Sequence, residues 1–407
     1  MMRALSFLLI GLLCGGHVAS AAGPLTRAAW GEPLWPASPA DAGRGGAGLA
    51  LEDSTRLSLV NPALMHAGRL TRFQMGFSGS SSRVSQDGIS QRFSSGAFDS
   101  WALAFPLGWR ELHAGLSLVP LSQAEYLVTG AGEDSQGRSY LESLRGKGGL
   151  SRAAFSLNAP TPLPTLKVGL DVGLVFGSVL EEWKLFYPES APPYDSWVDT
   201  RHSLLGLQPR VGLHWQALPH VALGAVWAPS TSADLTVDRE NRGNDQDQES
   251  AIRSAQVPGN LALGLSWTRG PATWLLDVRS EDWSKVPMGG AEADDKGLVE
   301  HPRGVALGVD LPASRAFSAP WFRRVTWRSG VRWQEWYARR QGDDLRWNTV
   351  ESLGFSVGAG IPLKAFGSWL DVAVEGGRSG DGQLDDQYVK VRMGLGARDL
   401  WFVRPRY

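Results

Sequence analysis

The chain of 407 residues has one cysteine, Cys14, which sits inside the first apolar run. Beyond it nothing can form a disulfide or a thiolate metal site. An N-terminal lipid anchor on Cys14 would need small residues just before it, and Leu12-Leu13 are not small. Charge of one sign is also missing. Forty Lys and Arg balance 41 Asp and Glu, for a formal net charge of -1. Nucleic-acid binding would call for a basic face, so no nucleic-acid partner is expected. Long hydrophobic runs are absent as well. After Leu5 to Leu13 no segment approaches the roughly 20 apolar residues of a membrane-spanning helix, although 43% of the chain is hydrophobic. The histidines past the first run, His66, His113, His202, His214, His220 and His301, show no metal-ligand spacing.

What is present begins with a leader. Arg3, the apolar Leu5 to Leu13, and Ala19-Ser20-Ala21 read as a secretory signal over residues 1–22. A secreted chain of this size without a spanning helix is either soluble or a β-barrel. Composition leans to the barrel. The 49 glycines suit close packing and turns, and the 18 tryptophans suit a membrane-water interface.

From Leu70 the hydrophobic period is two. Phe73, Met75 and Phe77 alternate with Gln74, Gly76 and Ser78. Later sets include Val168 to Phe176, Leu261 to Trp267, Val305 to Val309, and Val389 to Leu395. This is half-buried strand patterning. Long polar connections (Ser80 to Gly96, Gly130 to Lys147, Asp238 to Ala255, Ser284 to Glu300) alternate with short proline-bearing ones (Ala159 to Pro164, Thr268 to Pro271). Long-short alternation means up-and-down neighbours. The expected fold is all-β, an antiparallel transmembrane β-barrel of about fourteen strands over residues 68–407. Charges choose the faces. Lys390 and Arg392 alternate with Val389, Val391 and Met393, while Asp371 and Glu375 alternate with Leu370, Val372 and Val374. A charge facing lipid at mid-depth costs about 2–4 kcal/mol for Arg or Lys, so the charged set faces inward. That set also holds Gly169, Gly173, Gly354, Gly358, Gly394 and Gly396. These small residues leave room for something against the inner wall. A soluble sandwich or propeller is the rival architecture, but no blade-length repeat supports it.

Ahead of the strands, residues 40–63 read ADAGRGGAGLALEDSTRLSLVNPA. Gly43, Gly45, Gly46 and Gly48 form a glycine-rich turn, Glu52 and Asp53 an acidic pair, and Asn61, Pro62 and Ala63 close the stretch. The glycines match G-x-G-x-x-G, but the preceding Pro33-Leu34-Trp35-Pro36-Ala37-Ser38-Pro39 cannot be the buried strand a dinucleotide site needs. A glycine-rich segment, an acidic pair and Asn-Pro-Ala just before the first barrel strand resemble the N-terminal plug of the long-chain fatty-acid transporter family of outer-membrane proteins (the FadL/TodX type). The resemblance implies a fourteen-stranded barrel in the outer membrane, plugged by residues 23–67 and contacting outer-membrane lipid. It implies passive uptake of hydrophobic small molecules such as fatty acids or hydrocarbons, without cofactor or metal. In that family the third strand kinks inward to make a lateral opening. Pro120 falls in the strand that matches by count, so Pro120 and Ser122 are the candidate opening. Pro209, deep in the sixth strand, is its rival, and an ordinary bulge is the alternative reading of either.

No catalytic constellation emerges. Gly354-Phe355-Ser356-Val357-Gly358 matches G-x-S-x-G, but it is embedded in an alternating strand rather than a strand-to-helix turn, which makes Ser356 a lumen residue. Asp245 to Glu249 looks like part of a calcium loop but lacks the glycine at position six. A second function stays open beside transport, a structural or shuttle subunit of a secretion machine with a protein partner. A transporter should hold an apolar pocket between plug and wall.

Overall fold

The computed structural model describes residues 25, 30–35, 38–66, 68, 70–86, 88–107, 112–188, 196–241, 248–284, 297, 299–314, 320–341, 347–363 and 367–399. The secretory signal, much of the Asp245 to Glu249 loop and the C-terminal tail from 400 lie outside the described residues.

Fourteen antiparallel strands close into a barrel. They are β1 (Thr71–Gln86), β2 (Ile89–Pro106), β3 (His113–Pro120 and Ser122–Glu133), β4 (Ser139–Pro160), β5 (Leu166–Phe186), β6 (Ser196–Leu218) and β7 (Val221–Ala228 and Thr231–Asn241). The circuit continues through β8 (Gln248–Val257 and Gly259–Arg269), β9 (Ala272–Asp282), β10 (Arg303–Leu311), β11 (Thr326–Gln341), β12 (Trp347–Pro362), β13 (Trp369–Gly380) and β14 (Asp385–Asp399). β14 pairs with β1 from Asp385 opposite Ser85 to Asp399 opposite Thr71, which closes the wall. One closed sheet rules out the sandwich and the propeller.

The alternation in sequence becomes inside and outside. Leu170, Val172 and Leu174 stand exposed on the outer face, while Asp171 between them is 3% exposed. On β14, Val391 is 40% exposed and Arg392 only 7%. Leu207, Trp227, Leu263, Trp274, Leu307, Phe355 and Met393 continue the apolar belt around the barrel. A soluble monomer rarely exposes an apolar patch beyond a few hundred Å². A belt running round every strand fits a bilayer instead.

The long connections differ from expectation. Ser80 to Gly96 is not a loop. β1 and β2 run straight through it, pairing from Ser80 opposite Ser95 up to Gln86 opposite Ile89. β3 and β4 likewise pair through most of Gly130 to Lys147, and β7 and β8 through much of Asp238 to Ala255. The ladder outlasts the alternation because the upper ends of these strands stand above the apolar belt. There the outward side chains no longer need to be apolar, and backbone pairing alone sustains the strand.

Three strands are interrupted at one height. β7 breaks at Pro229 and Ser230, β8 at Pro258, and β3 at Leu121. Proline lacks the N–H the ladder requires. At β7 and β8 the wall stays paired on both sides of the break. Pro209 lies opposite Val172 on β5, and on its other side it faces the interruption in β7. Gln208 Nε2 donates to the carbonyls of Pro229 at 3.1 Å and Pro258 at 2.8 Å, tying this seam together. The rival proline therefore lies in a wall that stays closed. At β3 the outcome is different. β2 pairs with β3 only from Pro106 opposite His113 to Trp101 opposite Leu118. The second piece, Ser122–Glu133, pairs with β4 and with Glu32–Pro33 of the N-terminal segment. Among the described residues, the edge of β2 above Trp101 has no strand beside it.

Candidate functional site

The N-terminal segment lies against the inward-facing residues of the wall. Ser38 caps a single helical turn, α1 (Pro39–Ala42), with Asp41 completing a capping box. Proline at the first helical position costs nothing because its missing N–H has no partner in a first turn. Gly45 (φ +69°) and Gly46 (φ +90°) then reverse the chain in the left-handed region. Gly43 touches the wall at Gly358, where an added Cβ would approach the Gly358 Cα at 3.0 Å. Gly45 N–H donates to Ser356 Oγ at 2.9 Å, which places Ser356 in the lumen as a ligand of this turn. The Gly46 carbonyl accepts from Trp35 Nε1 at 2.9 Å. Gly48 and Leu49 N–H both donate to Asp277 Oδ2, at 2.8 and 2.9 Å.

Asn61 is fully buried and caps the short 3-10 turn Pro62–Leu64 by accepting from Ala63 N–H at 3.0 Å. Its Nδ2 donates to Leu49 O at 2.9 Å within the segment and to Leu213 O at 3.0 Å on β6. Pro62 and Ala63 press on the backbone of Gly169, where an added Cβ would overlap them, and Asn158 Nδ2 donates to Ala63 O. The inward glycines divide in two. Gly169, Gly358 and Gly394 meet the N-terminal segment, while Gly173, Gly354 and Gly396 make room for wall side chains, Arg152, Tyr388 with Glu375, and Trp369.

A buried ionic network, not legible as pairs in the sequence, ties the segment to the tight end of the barrel. Arg56 forks onto Asp371, with Nε to Oδ2 at 2.8 Å and Nη2 to Oδ1 at 2.7 Å. Arg328 Nη1 donates to the same Asp371 at 2.8 Å, and its Nε to Asp310 at 3.2 Å. Arg44 donates to Asp310 at 2.8 Å and also pairs with Asp41. Burial opposes the charge on Asp53, but Arg56 beside it and the hydrogen bonds from Thr55 hold its carboxyl below the usual range. Glu52 is drawn down to about 2, first by its hydrogen bond with His66, against burial and with help from Lys167. The alternation marks Arg328 and Asp371 as inward. Arg44 with Asp310, Arg56 with Asp371, and Asp277 with Gly48 and Leu49 carry no local signal of one another, because the partners lie hundreds of residues apart in the chain.

Higher in the lumen the packing turns apolar. Trp30, Leu150, Val175, Leu204, Val257 and Trp283 cluster, with Trp283 stacked on Tyr337 at 3.7 Å between ring centroids. Tyr337 OH donates to Gly31 O at 2.6 Å.

Pro120 and Ser122 sit together at the break in β3. Pro120 ends the first piece opposite Ser151, and Ser122 begins the second opposite Pro33. Leu121 keeps its backbone N–H bonded to Leu150 O at 2.8 Å, and Leu150 N–H donates to Ser122 Oγ at 3.1 Å. Facing the break is Gly149, at φ +144°, where any Cβ would overlap the Ser122 carbonyl. Two cavities meet here, sharing Leu34, Val119 and Ser122 in their walls. The larger, about 450 Å³, lies between the break and the unpaired edge of β2. Ser80, Ser95, Asp99, Lys390 and Arg392 face it on one side and Leu34, Val119 and Pro120 on the other. The smaller, about 90 Å³, is walled by Leu34, Leu121, Leu150, Val175, Leu204 and Trp283 together with Arg152, Gln208, Arg279 and Glu281. Lys390 pairs with Glu32, and Arg392 with Asp99 at 2.6 Å, so the cations of the larger cavity are already matched.

The closed wall of fourteen antiparallel strands is a fold that this chain shares with solved transporter barrels. The chain is similar to the toluene transporter TbuX of Ralstonia pickettii at 17% identity and a TM-score of 0.58, over 90% of this chain and 99% of that one. It is similar to a FadL homologue of Pseudomonas aeruginosa at 13% identity and a TM-score of 0.60, over 91% and 100%. To the toluene transporter TodX of P. putida the values are 13% and 0.55, over 89% and 98%. At these identities the likeness is one of fold. No curated protein matches the sequence. The chain itself belongs to the BamG family, whose model matches residues 41–407.

Proposed function

We propose that the protein is an outer-membrane channel for passive uptake of hydrophobic small molecules, with residues 30–65 as a lumenal plug and the break beside Pro120 as a lateral exit. The observation that carries this is the meeting of two cavities, each lined by both apolar and polar side chains, where, among the described residues, β2 loses its strand pairing with β3. A hydrophobic molecule gains nothing by stepping from the lumen into periplasmic water, whereas a side exit delivers it to the bilayer. Phe98, the last large apolar side chain of β2 facing outward, stands at the height of the break, so the exit opens at the upper edge of the apolar belt. The polar side of the larger cavity favours molecules with a polar group at one end. Relatives by fold are described as toluene transporters and a monoaromatic hydrocarbon channel, which agrees with this class of cargo.

The second reading, a structural or shuttle subunit of a secretion machine, is favoured by the unpaired edge of β2, to which a partner's strand could add. One experiment separates the two. Ser95→Cys and Ser122→Cys face the same cavity from either side of the break, and the only native cysteine is Cys14 in the leader. Bridging the pair with a reducible bismaleimide should stop uptake of toluene and of a medium-chain fatty acid into cells expressing the barrel, and reductant should restore it. Equal uptake by the bridged and free forms rules out the lateral exit. No uptake in any form, with a second protein retained on the barrel, supports the secretion reading.

A further inference from the structure

Outside the barrel, at the end of the wall with the long connections, four neighbouring strands carry one polar row. Arg378 on β13 lies opposite Gln387 on β14, Gln387 opposite Arg83 on β1, and Arg83 opposite Arg92 on β2. All four side chains are exposed on the outer face. Like charges directly opposite one another in a sheet are destabilising, yet Arg83 and Arg92 face each other. Among the described residues neither meets a carboxylate. Arg378 is answered by Asp385.

The row stands one outward step above Val389, the uppermost apolar residue of β14's outer face. Beneath the arginines the outward residues are small, with Ser81 opposite Ser94 and Gly79 opposite Gly96, and with Gly376 beside Val389. Ser81 and Gly377 line an open trough of about 540 Å³ with the three arginines, Gln387 and Val389, and Val391 and Val374 continue the outer face below it. A ligand fitting this surface needs an anionic head at the height of the arginines and an apolar part lying down the wall. The geometry points to a binding site for the phosphorylated headgroup of a lipid of the outer leaflet, with Arg83 and Arg92 holding the phosphate, Arg378 flanking it, and an acyl chain in the trough. Arginine suits the role because its planar fork of N–H donors matches phosphate oxygens in a paired geometry. The bound anion would also remove the repulsion between the two arginines. This rests on the outer-membrane orientation proposed above and not on the cargo.

The test uses the full mature barrel in detergent, titrated with lipid A bisphosphate, with its dephosphorylated form and with inorganic phosphate, and followed by native mass spectrometry. Retention of the bisphosphate should exceed that of the dephosphorylated lipid at least tenfold and fall as salt rises. R83Q/R92Q should lose that preference, and R378Q should weaken it less, because Asp385 already engages Arg378. Equal retention of both lipids by the wild type would overturn the proposal, as would an unchanged preference in R83Q/R92Q. Inorganic phosphate displacing the lipid at equal concentration would reduce the site to one for simple anions and overturn the lipid assignment. Heat-modifiable migration on gels checks that each variant is a closed barrel. Should R83Q/R92Q fail that check, the wild-type comparison of the two lipids decides alone, and failure of the wild type to behave as a closed membrane barrel would instead count against the orientation.

Discussion

The tight end of the lumen and the sector around β3 are built from the same residue types with opposite results. At the tight end, Arg44, Arg56 and Arg328 interlock with Asp310 and Asp371, and the N-terminal segment is pinned at Asp277, Ser356 and Asn61. Each of these groups meets a partner from another part of the chain. Around β3 the pairs also join distant parts of the chain, Lys390 with Glu32 and Arg392 with Asp99, but they stand round an open cavity. The difference lies in the backbone. Below the break every strand has two neighbours, so distances across the lumen are fixed and charges can interlock. At the break β2 loses one neighbour, and the second piece of β3 pairs instead with two residues of the N-terminal segment. A tightly paired wall and an open cavity beside an unpaired strand edge can thus share one barrel.

Breaking the anchor should have the largest effect. Asp371→Ala takes the shared buried carboxylate from Arg56 and Arg328, leaving them only Asp53 and Asp310. Removing one partner of a buried ion pair costs about 3–5 kcal/mol, so the urea midpoint in micelles should fall sharply. A change within error would mean that water reaches this network. The lipid face comes next. Val391→Arg should cost about 2–4 kcal/mol if the residue lies near mid-depth, read as loss of the heat-modifiable form. Arg392→Gln, which alternation alone marks as a harmless lumen change, leaves Asp99 buried without its cation. Its expected cost is about 1–3 kcal/mol, recovered in part by adding Asp99→Asn. Were the double variant no better than the single, the pair would carry no coupling. Asn61→Ala removes a cap worth roughly 0.5–2 kcal/mol together with the link from Leu49 to Leu213. It should raise single-channel conductance in planar bilayers if the segment blocks the lumen.

The smallest effect is a pH dependence. Glu52 titrates at about 2 in the folded chain against an ordinary 4.5. Its contribution is therefore complete above about 4.5 and disappears as the pH falls through about 2. Stability measured between those values should decline less steeply in Glu52→Gln than in the parent. Identical slopes would place the His66 and Lys167 contacts outside the folding balance.

By itself the sequence determined the barrel, its inward and outward faces and the neighbourhood of the third-strand break. Period-two alternation is a local property, as is a proline that cannot donate to a ladder, so Val391, Arg392 and Pro120 declare themselves from their neighbours alone. The glycines at 43, 45, 46 and 48 likewise announce a tight reversal. Only the tertiary structure decided that Ser80 to Gly96 continues as paired strand. A polar stretch gives no alternation to read, and the ladder there is held by the partner strand. It also decided beside which proline a neighbouring strand loses its pairing. Pro120 and Pro209 look alike in sequence, but β6 has neighbours that resume pairing beyond their own break and β2 does not. The partners of Arg44, Arg56 and Asp277 were decided in the same way. Their contacts depend on barrel closure and on the register of strands that lie hundreds of residues apart, and no local pattern encodes either.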